Sequence, residues 1–174
     1  MEIISEIPVV LSYRAIVARL RYEESLSSTP PLEGIIAAAR PLIHPRALFA
    51  VAYTEAKGEK TVEIDGVVFE SGVLRRQLGP INKVFPYIIT VGPELERFAA
   101  SQGDLLKQYY LEEIANIALE EAAGWLAEHL RARFGLGPLS NLSPGSLEDW
   151  PITEQPKLFS ILGDTERLIG VRLT

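Results

Sequence analysis

Few side chains in this 174-residue chain are of types that carry out chemistry. There is no cysteine, which removes thiol nucleophiles, disulfides, iron–sulfur clusters and zinc–thiolate sites together. The only histidines, His44 and His129, lie far apart in sequence, so an imidazole metal site is not expected and no metal ligand is assigned. His44 falls between Pro41 and Pro45 and reads as a turn residue. His129 falls near the end of a helical stretch, where a positive charge suits the dipole. The acid pairs Glu112-Glu113 and Glu120-Glu121 are neighbours on a helical pattern. Their side chains therefore diverge by about 100°, which is poor geometry for a carboxylate dyad. No Walker sequence, GxGxxG, HExxH or GxSxG is present, and no catalytic residue is assigned.

One stretch stands apart. LSPGSLEDWPITEQPKLFSIL (Leu142–Leu162) places Pro144, Gly145, Trp150 and Pro151 within ten residues. A proline fixes φ, and a glycine admits positive φ or the close approach of a ligand to the backbone. Exposed backbone groups on such a loop can read the polar ends of a small molecule. The alternative is a stiff connection. In it Trp150 anchors the loop on the long helix with a single indole hydrogen bond, and Gln155 satisfies loop backbone.

The elements that must position this loop are legible from periodicity and punctuation. After an extended start at Pro8–Leu11, Ser12 can cap a helix carrying Ile16, Val17 and Leu20. SSTPP (Ser27–Pro31) breaks it, and a second helix runs from Leu32 to about Arg40, stopped by Pro41. Ala47–Ala56 reads as a strand, and Asp65-Gly66 between two alternating runs predicts a hairpin. A short helix spans Gly72–Leu78, a strand Val84–Gly92, and a short helix PELERFAAS. The longest helix runs from an Asp104 cap to about Phe134, with Ile114, Ala118, Trp125 and Leu126 on its buried side and Ala115, Ala118 and Ala122 permitting close approach. Pro156–Leu162 predicts one or two helical turns, and LIGVRLT a C-terminal strand. The pattern predicts one α+β domain over residues 1–174: a mainly antiparallel mixed sheet with a long helix and several shorter helices packed on it.

A hydrophobic fraction of 47% marks a globular chain, and no apolar run approaches the roughly 20 residues of a membrane span. The N-terminus opens with an acid and lacks the features of a secretory signal, so a cytoplasmic protein is expected. A net charge of −6 disfavours nucleic acid as a partner, because that binding leans on neutralising phosphates.

Three blocks follow one another with tight spacing: Gly103–Leu126, the Leu142–Leu162 loop, and IGVRLT (Ile169–Thr174). Together they resemble the activation domain of cobalamin-dependent methionine synthase, in particular its stand-alone bacterial form. TVGPELE (Thr90–Glu96) is similar to that family's T-I-G-x-x-L-E, and the hairpin and PRAL (Pro45–Leu48) fall in the family's order. The resemblance implies a reactivation component that binds S-adenosylmethionine and supports reductive methylation of cob(II)alamin. This chain has no D-x-H-x-x-G motif, so the cobalamin would be held by a partner, a corrinoid-binding protein or methionine synthase core, with a flavodoxin-type reductant supplying the electron. Carried over residue by residue, Glu120 would meet the ligand's amino group, and Ser143, Pro144 and Gly145 form the loop core. Asn141 stands where the family has arginine and Ser146 where it has tyrosine. Asparagine does not reproduce the two-pronged charged clamp of arginine. The alternatives are a docking or scaffold module that keeps the fold without binding S-adenosylmethionine, and a sensor of another small molecule in the same cleft.

Overall fold

The computed structural model describes residues 1–22 and 31–173, apart from the side chains of residues 56 and 57. The fold class is α+β. In chain order the elements are β1 (Glu2–Ile4), α1 (Tyr13–Leu20), α2 (Leu32–Ala39), β2 (Arg46–Phe49), β3 (Ala52–Lys57), β4 (Thr61–Ile64) and β5 (Val67–Glu70). They continue with α3 (Gly72–Gln77), β6 (Lys83–Val84), β7 (Tyr87–Thr90), α4 (Pro93–Ala100), α5 (Leu105–Phe134), α6 (Gln155–Leu162) and α7 (Thr165–Ile169). Single 3-10 turns lie at Arg40–Leu42 and Ile152–Glu154. Instead of one sheet there are two, ordered β1-β2-β7 and β5-β4-β3-β6. The chain divides into two compact units, one comprising Met1–Ile3, Leu48–Ile88 and Gly137–Thr174, the other Ile4–Ala47 and Ile89–Leu136. No helix among the described residues is long and apolar enough to cross a membrane.

The second unit is helical, and its ends are set by caps visible in the sequence. Asp104 Oδ1 accepts the N–H groups of Leu106 and Lys107 at 2.9 and 3.2 Å, and Gly135 closes the 30-residue α5 in the left-handed region at φ 62°. Leu111, Ile114 and Ala118, at helical spacing, are completely buried. They share one core with Ile16 of α1, Leu32, Ile35, Ile36 and Ala39 of α2, and Leu95 and Ala99 of α4. The alanines Ala39 and Ala118 have no exposure at all, as close approach of helix backbones requires. Trp125 departs from expectation: it is half-buried and stacks on His129 one turn later, with ring centroids 4.9 Å apart. The SSTPP break falls mostly on residues 27–30, outside the described residues.

The first unit is built on the predicted hairpin. Ile64 pairs with Val67, and Asp65 (φ 47°) and Gly66 (φ 80°) both take the positive φ of a type I′ turn. Val62, Ile64 and Phe69 point to one core with Ala52, Leu74, Leu78 and Trp150. Two expected strands are each broken in two. Ala47–Ala56 divides at Ala50-Val51 into β2 and β3, and Val84–Gly92 divides at Phe85-Pro86 into β6 and β7. Proline has no N–H for a ladder and restricts the residue before it, and the two breaks face one another through Ala50 N–H donating to Pro86 C=O at 3.0 Å. Residues 168–173 of LIGVRLT are not a strand either. Asp164 caps α7 by accepting from Arg167 N–H, and Gly170 (φ 76°) ends it, so cap chemistry outweighs an alternation only three residues deep.

Two glycine-to-alanine changes should act with opposite signs. Gly66→Ala, where space around the new methyl is open but φ is +80°, should cost about 1–2 kcal/mol of conformational energy. Gly34→Ala, in α2 with equally open space and ordinary helical φ, should stabilise by about 0.5–1 kcal/mol. Urea denaturation of both variants checks this; equal shifts would contradict the turn geometry.

Candidate functional site

The loop after α5 is held by its own hydrogen bonds. Ser143-Pro144-Gly145-Ser146 is a type II turn, with proline second and Gly145 third at φ 89°. Ser146 N–H donates to Ser143 C=O at 3.0 Å. The Ser146 hydroxyl closes the same turn a second time, donating to Ser143 C=O at 2.6 Å and accepting from Ser143 N–H at 3.0 Å. Gly145 N–H donates to Trp150 C=O at 2.7 Å, and a Cβ at Gly145 would already stand 3.5 Å from Ile152. Pro144 is buried, while Asn141, Ser143, Gly145 and Ser146 are exposed.

The far end of the loop is fastened by a carboxylate. Asp149 lies across the N-terminus of α3, accepting from the Ser71 hydroxyl at 2.5 Å and from the N–H groups of Gly72 at 2.7 Å and Val73 at 3.2 Å. Ser71 is 3% exposed and is itself the N-cap, its Oγ accepting Leu74 N–H at 2.9 Å. One acid thus accepts from the orphan donors and brings the negative charge that a helix start favours. The bond from Ser71 holds the Asp149 carboxyl below its ordinary 3.8; desolvation opposes this, and the N–H groups of Val73 and Gly72 reinforce it. Next to it, Trp150 is 5% exposed and meets Phe69 edge-on at 5.9 Å. Its indole N–H has no partner among the described residues, so it anchors the loop by ring packing in the core of the first unit, without the hydrogen bond expected of it. Glu154 completes the attachment by accepting Glu70 N–H from β5 and pairing with Lys157 at 2.7 Å.

This bonding gives the turn a polarity. The N–H groups of Ser143, Gly145 and Ser146 are all spent internally, so the backbone presents acceptors: the carbonyls of Pro144 and Gly145 have no partner among the described residues. At the start of the loop, Asn141 Oδ1 accepts the hydroxyl of Tyr87 at 2.6 Å. Burial pushes the Tyr87 hydroxyl pKa up, against the smaller opposite effect of that bond. Of the residues singled out from the sequence, Asn141, Ser143, Pro144, Gly145 and Ser146 therefore come together. Glu120 belongs to the second unit, on α5, where Arg19 of α1 pairs with it and also approaches Glu113 at 3.8 Å. That unit also carries an open groove of about 300 Å³ where the end of β7 meets α4 and α5, with Thr90, Glu96, Glu112, Asn116 and Leu119 on its walls. Sequence reasoning missed Tyr87 and Asp149. Ser71 ahead of a six-residue helix was the available signal for the second, and nothing local marks the first.

The Asp149 anchor should be readable in pH. Its pKa is depressed in the folded state, so its stabilisation is present above the ordinary Asp value and disappears as pH falls through the folded value. Asp149→Asn should therefore unfold at lower urea than wild type at pH 6, with the gap narrowing below about pH 4. A gap independent of pH would remove the carboxylate from this role.

No family model matches the chain, and no curated protein does.

Proposed function

We propose that this chain is a reactivation component for a cobalamin-dependent methionine synthase or a related corrinoid methyltransferase. It binds S-adenosylmethionine at the Asn141–Ser146 loop and supports reductive methylation of cob(II)alamin held by a partner. The observation that supports this reading is the Ser143–Ser146 turn: exposed, doubly closed, and fixed through Trp150 and Asp149 before any ligand arrives. A loop already in its binding shape has little left to order on association, and affinity gains accordingly. Its unspent carbonyls suit the N–H donors of an amino group or an adenine, and the Asn141 amide nitrogen suits a carboxylate. S-adenosylmethionine supplies the methyl group and leaves as the thioether, and the reductant supplies one electron. The chain's own part is to bind and orient.

A second reading is favoured by a specific observation. Three side chains that the resemblance assigns to the ligand already have partners in the fold: Glu120 with Arg19, Asn141 with Tyr87, and Ser146 with Ser143. Glu120 would have to exchange its arginine for the ligand's ammonium. A docking module that caps or recruits a corrinoid protein, with no S-adenosylmethionine site, uses the same surface without that exchange.

Calorimetric titration separates the two. The first reading expects saturable one-to-one binding of S-adenosylmethionine, weakened roughly tenfold or more by Gly145→Ala, about 1.4 kcal/mol, because alanine is strained at φ +89°. No heat up to millimolar ligand, and none gained by Asn141→Arg with Ser146→Tyr, would retire it in favour of docking.

A further inference from the structure

The groove of the second unit owes its room to small side chains. Ala99 on α4 and Ala115 on α5 both line it, where longer residues would fill the space between the two helices. Leu95, Leu111 and Leu119 complete an apolar lining from the same helices, and Leu95 and Leu111 are wholly buried. Helical spacing sets the polar wall. Glu112, Asn116 and Leu119 follow one another about a turn apart on one face of α5, and Glu96 comes directly after Leu95 on α4.

The charged and amide groups on that wall all offer oxygen. Glu96 and Glu112 are exposed, and neither pairs with a cation among the described residues. Glu112 Oε1 accepts the Gln108 amide at 2.8 Å, which leaves Oε2. Asn116 Nδ2 donates to Glu113 Oε1 at 3.1 Å, and Arg19 approaches the other oxygen of Glu113 at 3.8 Å, so the amide oxygen is the end that Asn116 has left. No lysine, arginine or histidine lines the groove among the described residues. The positive start of α4 is answered from within, by the Thr90 hydroxyl oxygen, which accepts Gly92 N–H at 3.0 Å, and by Glu94 in the first turn. We infer that this groove is a binding site for a small amphiphilic amine, a second site that does not depend on the Asn141–Ser146 loop. The hydrocarbon body lies on the leucines and alanines, and the ammonium meets the two carboxylates and the Asn116 oxygen. A volume of about 300 Å³ suits an alkyl or aryl body of about six to ten carbons.

The test titrates the protein with hexylamine, hexanol and hexanoate, three molecules with one body and different heads, following the backbone amides of Gly92, Ala115 and Leu119 by nitrogen-15 NMR. Hexylamine should shift these signals saturably and bind about fivefold to tenfold tighter than hexanol, the gain of hydrogen bonds to charged groups at an exposed rim. Hexanoate should shift none of them. Glu96→Gln with Glu112→Gln should bring the amine down to the affinity of the alcohol, and Ala115→Leu should remove both by filling the floor. If Ala115→Leu does not fold, the two exposed glutamates still decide. Equal affinity for amine and alcohol, a double variant that binds as wild type does, or shifts spread over the acidic surface without saturation would each overturn the assignment. So would equal affinity for Nα-acetyl-lysine amide, whose shorter run of methylenes covers less of the floor, because that result would point to the side chain of a protein partner.

Discussion

The loop depends on one carboxylate laid across one helix start. Asp149 and Ser71 are 78 positions apart, yet the acid fills the donors that α3 cannot satisfy from within. A six-residue helix is too short to persist by propensity alone, since nucleation costs more than so few bonds return. Here the far segment provides the cap, and the helix provides the place where that segment comes to rest. Trp150 follows directly into the core beside Phe69, and its carbonyl then takes Gly145 N–H. Shape passes from the cap to the tryptophan to the turn, which Pro144, Gly145 and the Ser146 hydroxyl then close.

The internal economy of the turn also decides how it can recognise anything. Its exposed glycine suggests a backbone open to a ligand in either sense, but three of its N–H groups are already bonded. What remains is one-sided, and a one-sided surface discriminates better than a bare loop would. The buried indole N–H of Trp150 takes no part in this order: it has no partner among the described residues, and the ring is held by packing beside Phe69.

Much of the fold could be read from residues alone where caps and turns carry their own chemistry. Asp104 and Gly135 bound α5 where expected, Ser12 caps its helix, and Asp65-Gly66 makes the hairpin. The failures share a cause. Ala47–Ala56 and Val84–Gly92 are each apolar enough for a single strand; Pro86 divides the second from within, and the first divides at Ala50 through its pairing with Pro86, which no local pattern in the first records. The C-terminal residues alternate like a strand, but Asp164 and Gly170 frame a helix between them. In the site, the Pro-Gly turn was legible because proline fixes its own φ and glycine takes the positive φ that a type II turn needs. Tyr87 was not, because it reaches Asn141 from 54 positions away and sits in an ordinary apolar run.

The division of the chain into two discontinuous units bears on the order in which they can be completed during synthesis. Every residue of the second unit, through Leu136, is made before the loop begins. The first unit has its hairpin and α3 much earlier, but Asp149 and Trp150 come only in the last part of the chain. Until they arrive, the start of α3 lacks its carboxylate and Phe69 lacks its ring partner. The nascent protein therefore has all the residues of its helical unit while the other is half-made, and the same residues that shape the loop are those that end the wait. At Gly137 synthesis has supplied every residue of the second unit and none of the seal of the first.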